Sequence, residues 1–130
     1  CLTDLLATCA EITGATLPNN AGEDSVSMLA NLKGTATGPQ REATVHHSAN
    51  GTFSIRQGNW KLIDAPHSGG WSAPKPRDKE ALKGLPLIQL YDLEKDAGET
   101  NNVEAQHPEV VASLKALLET YKTQGHSRTQ

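Results

Sequence analysis

The run Leu90–Ser127 constrains the fold of this chain most, because it joins a strand, a charged turn and a helix whose two ends are both signalled. Pro108 suits a first helical position, where its fixed φ helps and its missing N–H costs nothing, and Glu109 follows near the positive end of the helix dipole. Val110, Val111, Leu114, Leu117, Leu118 and Tyr121 then recur at three- and four-residue spacing, with Ser113, Lys115, Glu119 and Lys122 on the other side. Gly125 can take the left-handed conformation that closes a helix, so the pattern predicts a helix over about residues 108–124. One face of that helix is apolar and needs a surface to cover.

The preceding chain is expected to supply it. Asn50-Gly51 is a strong hairpin signal, since both turn positions favour positive φ, and it is flanked by candidate strands at 43–48 and 52–57. Phe53 and Ile55 share one face there, Ser54 and Arg56 the other, and Gly58-Asn59 can turn the chain into a third strand at 60–64. Leu87–Tyr91 reads as a fourth. Upstream, Leu2, Leu5, Leu6, Cys9 and Ile12 approximate an apolar helical stripe over 3–13 that ends at Gly14, and Asp24 or Ser25 can cap a short helix running to Leu32 before Gly34. The fold class is therefore α+β: a small antiparallel sheet of about four strands packed by a long C-terminal helix and preceded by short helices. Residues 65–86 hold four of the seven prolines and three glycines among polar side chains, which predicts a mobile insertion.

At 130 residues one domain is the prior. Twelve Lys and Arg against fifteen Asp and Glu give a net charge of −3 with no basic block, so no nucleic acid is implied. No run nears the roughly 20 apolar residues that span a bilayer, so no membrane is implied. Cys1 and Cys9 are eight apart on one helix, a rise of roughly 12 Å, too far for a disulfide. They read as small core residues. No CxxC pair exists and the five histidines are scattered, so no metal site is expected.

The chain carries little recognisable chemistry. No GxSxG, P-loop or GxGxxG is present, and no catalytic residue is assigned. His46 and His47 are adjacent, so on a strand they point to opposite faces and cannot ligate one metal together; each reads first as a partly buried, hydrogen-bonded strand residue, and their place before the Asn50-Gly51 tip nominates them as substrate contacts in the alternative. Asp92, Glu94, Asp96 and Gly98 sketch a calcium loop, but the glycine comes one residue late and Val103 stands where a bidentate glutamate belongs, so turn chemistry is the expectation. Trp60 reads as a packing residue, with Lys61 along the outer face, and Arg56 as an ion-pair partner or anion anchor.

Asp4-Leu5-Leu6-Ala7-Thr8 with Gly14, Asp24-Ser25-Val26-Ser27, Ile55-Arg56-Gln57-Gly58-Asn59-Trp60-Lys61-Leu62-Ile63, and Leu90-Tyr91-Asp92-Leu93-Glu94-Lys95-Asp96 with Glu99-Thr100-Asn101-Asn102 together resemble the C-terminal part of arylsulfatase-type sulfatases. The resemblance covers nearly the whole chain and is weakest at 65–86. It implies a parent sulfuric ester hydrolase, commonly exported, whose large N-terminal catalytic domain holds calcium and a formylglycine made from the first residue of a C/S-x-P-x-R motif. Neither Cys1 nor Cys9 lies in such a motif. Residues 1–40 would end the catalytic domain and 41–130 would form the C-terminal domain. The piece itself is expected to be inactive scaffold and pocket rim, partnered by the catalytic domain and the sulfate ester. The alternative is a free-standing, non-catalytic interaction module. A start at Cys1, inside a helical pattern, is what a truncated piece would show, and such a piece would expose an apolar face and self-associate.

Overall fold

The computed structural model describes residues 1–128 and divides into two compact units: Cys1–Glu42 with the residues from Tyr121 on, and Ala43–Thr120. The second unit holds the expected sheet. Strands β1 (Thr44–His47), β2 (Phe53–Gln57), β3 (Trp60–Ile63) and β4 (Gln89–Asp92) form an antiparallel meander in that order. Its register aligns Val45, Ile55, Leu62 and Leu90 in one row across all four strands. Ile55, Leu62 and Leu90 are completely buried, and removing each from water contributes about 1.5–3 kcal/mol. Helix α3 (Pro108–Gln124) buries Leu114 and Leu118, with Val110, Val111 and Leu117 half-buried, so its predicted stripe is the face withdrawn from solvent.

The two hairpin turns differ. Gly58, at φ 57°, occupies the first position of a two-residue turn, the place such turns reserve for glycine. The first hairpin departs from expectation. Only Gly51 has positive φ, at 82°; Gly51 N–H donates to the Ser48 carbonyl and Ser48 N–H to the Thr52 carbonyl, making a three-residue loop. Ser48 Oγ accepts from Thr52 N–H at 3.1 Å and reaches Asn50 Oδ1 at 2.5 Å, and this side-chain pairing selects the longer loop.

An edge strand leaves backbone groups unpaired. Asn102 answers for them on β4: its Oδ1 accepts from Leu90 N–H at 2.9 Å and its Nδ2 donates to the Ile88 carbonyl at 3.0 Å, while Val103 N–H donates to Leu90.

In the first unit a 3-10 turn at Leu2–Asp4 runs into α1 (Leu5–Thr13), closed by Gly14 at φ 70°. It corrects the reading of Cys1 and Cys9 as core residues. Asp4, Thr8 and Ala10 are the buried residues, whereas Leu2, Leu5, Leu6 and Ile12 are exposed by 48–87%, and both cysteines lie at the surface. The inward side is polar because it has backbone to satisfy. Asp4 Oδ1 accepts from Val26 N–H at 3.1 Å, Thr8 Oγ1 from Met28 N–H at 3.1 Å, and Ser25 Oγ from Ala7 N–H at 2.9 Å; Arg41 pairs with the same Asp4 oxygen. Asp24 and Ser25 therefore do not cap a helix. Helix α2 is a single turn, Leu29–Leu32, closed by Gly34 as expected.

Candidate functional site

Residues 65–86 carry no helix or strand and proceed through turns, yet their stem is tied to the sheet. Gln89 Nε2 on β4 donates to the Ala65 carbonyl at 2.7 Å and the His67 carbonyl at 3.1 Å, and Tyr91 Oη donates to Gln89 Oε1 at 2.8 Å. Beyond the stem, Ser68 N–H donates to the Pro74 carbonyl and Ser68 Oγ to the Ser72 carbonyl at 2.7 Å, closing a small loop. Gly69 at its start is buried and packed on the first hairpin: a Cβ there would sit 2.6 Å from Ser48 Oγ and 2.7 Å from Ser48 Cβ, and its φ is 71°. Only glycine meets both conditions. Pro76 follows at the second position of a turn closed by Asp78 N–H to the Lys75 carbonyl.

Between the hairpin tip at Ala49–Asn50 and this loop lies a cleft of about 420 Å³. Gly69, Gly70, Trp71, Lys75, Pro76 and Arg77 line it together with the tip. The cleft was missed from sequence, where the segment's polar composition pointed only to a loop. Its one local signal is a tryptophan between paired glycines and a proline-bracketed lysine.

His46 and His47, the nominated substrate contacts, are both exposed on β1, two or three residues before this tip. The structure does not bring them together: strand alternation separates them, and the His47 ring packs edge-on against Phe53 at 4.2 Å.

The other residues singled out in the sequence have structural work. Arg56 donates to the Gly58 carbonyl at 3.1 Å, within its own turn. Trp60 is half-buried against His107, with ring centres 4.8 Å apart, where the chain enters α3. Lys61 Nζ meets both Glu99 oxygens, at 2.6 and 2.8 Å. Glu99 and Asp96 also face Tyr91, whose phenol pKa is raised by burial first and by these two carboxylates second. Asp96 accepts from Asn101 N–H and Thr100 N–H, both at 2.8 Å, and the Asn101 bond foremost holds its pKa below the ordinary range. The acidic run is thus turn chemistry. Among the described residues no group of three or more His, Cys, Asp or Glu is gathered to hold a metal ion, so the residues present do not fit a calcium site. Nor do they fit the nucleophile: in Ser72-Ala73-Pro74-Lys75-Pro76-Arg77 the arginine falls one residue beyond its place in C/S-x-P-x-R.

No helix among the described residues is long and apolar enough to cross a membrane. No family model matches the chain. It is 40% identical over 123 residues to an N-acetylgalactosamine-6-O-sulfatase of Bacteroides thetaiotaomicron and 32% identical over 126 residues to Homo sapiens arylsulfatase A. Those alignments include 92% and 88% of this chain but 23% and 25% of the relatives, so it spans about a quarter of their length. A solved structure from work on the metabolism of multiple glycosaminoglycans by Bacteroides thetaiotaomicron matches with a TM-score of 0.72 at 39% identity, over 92% of this chain and 24% of that one. A 2-O GAG sulfatase shares the fold, with a TM-score of 0.60 at 23% identity, over 93% of this chain and 24% of its own. With the quoted motifs now placed as the turns, edge cover and buried clamps of that same fold, the chain corresponds in sequence and fold to the C-terminal part of arylsulfatase-type sulfatases.

Proposed function

We propose that this chain serves a sulfuric ester hydrolase as scaffold and pocket rim, and that the chemistry resides in an N-terminal catalytic domain of the same protein. The observation that carries the reading is 40% identity to a sulfatase over 92% of this chain, at about a quarter of the relative's length. On this reading the catalytic domain supplies calcium and formylglycine, the groups that hydrolyse the sulfate ester. Residues 1–40 complete that domain, 41–130 form the C-terminal domain, and the 130 residues alone are inactive. The exposed apolar side of α1 supports a missing partner: Leu5 is 53% and Ile12 62% exposed, a face that would also drive self-association of the isolated piece. His46 and His47 are assigned to the rim of the substrate pocket, in keeping with their exposed position before the hairpin tip.

Peptide mass spectrometry on the full-length gene product tests this directly. The expected result is a formylglycine in place of the first residue of a C/S-x-P-x-R motif upstream of Cys1. A coding sequence with no such motif would overturn the reading.

A further inference from the structure

We infer that the cleft between the Asn50 tip and the Gly69–Arg77 loop binds an anionic saccharide, with Trp71 as stacking platform and Lys75 and Arg77 as anion contacts. The inference rests on the sulfatase reading for its ligand class, a sulfated sugar, and on the cleft itself for the rest. Trp71 is 86% exposed, a placement that gives the fold almost nothing from its largest side chain. The face of an indole ring is negative, and a pyranose presents polarised C–H groups to such a face. Lys75 and Arg77 are exposed and form no ion pair among the described residues, although acidic side chains at Asp78 and Glu80 lie close in sequence. Arginine offers a planar fork that matches a sulfate or carboxylate, and lysine a point charge beside it.

Preorganisation strengthens the case. A cation and a ring on a loose loop would lose much of their binding energy to ordering. Here Gln89 holds the stem, Ser68 closes the loop, and Gly69 is pressed against Ser48 with no room for a side chain. Asn50 is fixed too, its Oδ1 taken by Ser48 Oγ and by Thr52 Oγ1 at 2.9 Å, which leaves its NH2 group as the donor the turn does not use. A volume of about 420 Å³ falls within the usual range for small-molecule sites. A nucleic acid calls for a broader basic surface than a chain of net charge −3 provides.

Isothermal titration calorimetry on the whole 130-residue chain decides it, with a chondroitin sulfate tetrasaccharide, its desulfated counterpart and a single-stranded oligonucleotide as probes at low salt. The expected result is binding of the sulfated sugar, weakened about tenfold or more in Trp71→Ala, in Lys75→Ala with Arg77→Ala, and on desulfation. All three side chains are exposed, and a circular dichroism spectrum identical to the parent's confirms that the variants are folded. No binding by the parent chain, unchanged affinity in folded variants, or equal affinity for the oligonucleotide would each overturn the inference. Aryl sulfate hydrolysis by the full-length product is scored separately. Hydrolysis without cleft binding would sink this inference alone, and cleft binding without hydrolysis would sink the sulfatase reading alone.

Discussion

The two units of this chain satisfy their interiors with opposite chemistry. In Ala43–Thr120 the fully buried side chains are Ile55, Leu62, Leu90, Leu114 and Leu118, all apolar; in the first unit the buried residues include Asp4, Thr8 and Ser25, which accept hydrogen bonds from distant backbone. A sheet pairs its own backbone and asks its side chains only for apolar area. A short helix beside irregular chain has orphan N–H groups to answer, at a cost comparable to a lost hydrogen bond for each one buried and left alone. The difference explains why apolar periodicity is a sound guide to one unit and a misleading guide to the other.

Substitutions and titrations can break or sharpen that contrast. Leu62→Ala, at the centre of the apolar row, should cost about 2–5 kcal/mol of unfolding free energy by urea denaturation. A loss below about 1 kcal/mol would mean the row is not the core. Asp4→Ala should cost about 2–3 kcal/mol, because it strands the Val26 N–H and Arg41 together, whereas Leu5→Ala on the same helical segment, 53% exposed, should cost under about 1 kcal/mol. The reverse order would restore the apolar reading of α1. The same aspartate sets an acid limit. Burial raises its pKa, but the Val26 N–H, the Cys1 amino group and Arg41 together lower it by more, to below the ordinary 3.8. Its contribution is therefore present above 3.8 and lost as pH falls through the lower folded value, and Asp4→Asn should flatten that part of the stability profile.

Asn102→Ala should cost about 1–3 kcal/mol by removing the partners of Leu90 N–H and the Ile88 carbonyl, with hydrogen exchange at Leu90 accelerating most. The smallest effect concerns Tyr121, whose pKa is pushed up to about 12 by burial and then by Glu42, which accepts its hydrogen bond at 3.1 Å. A raised folded value means stability is complete below pH 10 and declines as pH rises through about 12. Tyrosinate absorbance should show this late titration, and Tyr121→Phe should remove it.

What was legible in the sequence follows the same division. The four strands, the Gly58 turn and both ends of α3 depend on local signals, namely alternation, glycine at positive φ and proline at a helix start, and the structure realises each. Asp24 and Ser25 were read as caps because short polar side chains serve caps and distant clamps equally well; Ser25 meets Ala7 eighteen residues away, which no local rule anticipates. Cys1 and Cys9 were read as core residues and lie at the surface, since spacing says which residues share a face and not where that face looks. The cleft escaped notice for a similar reason. Its walls depend on Gln89 and Ser48, partners brought from other elements to a segment whose own composition suggests only a loop.

Hydrolysis of a chromogenic aryl sulfate by this 130-residue chain and by the full-length product of its gene, side by side with calcium present, tests the assignment as sulfatase scaffold most directly. Activity in the longer product alone is the predicted result. Activity in neither, or in the 130 residues by themselves, would contradict it.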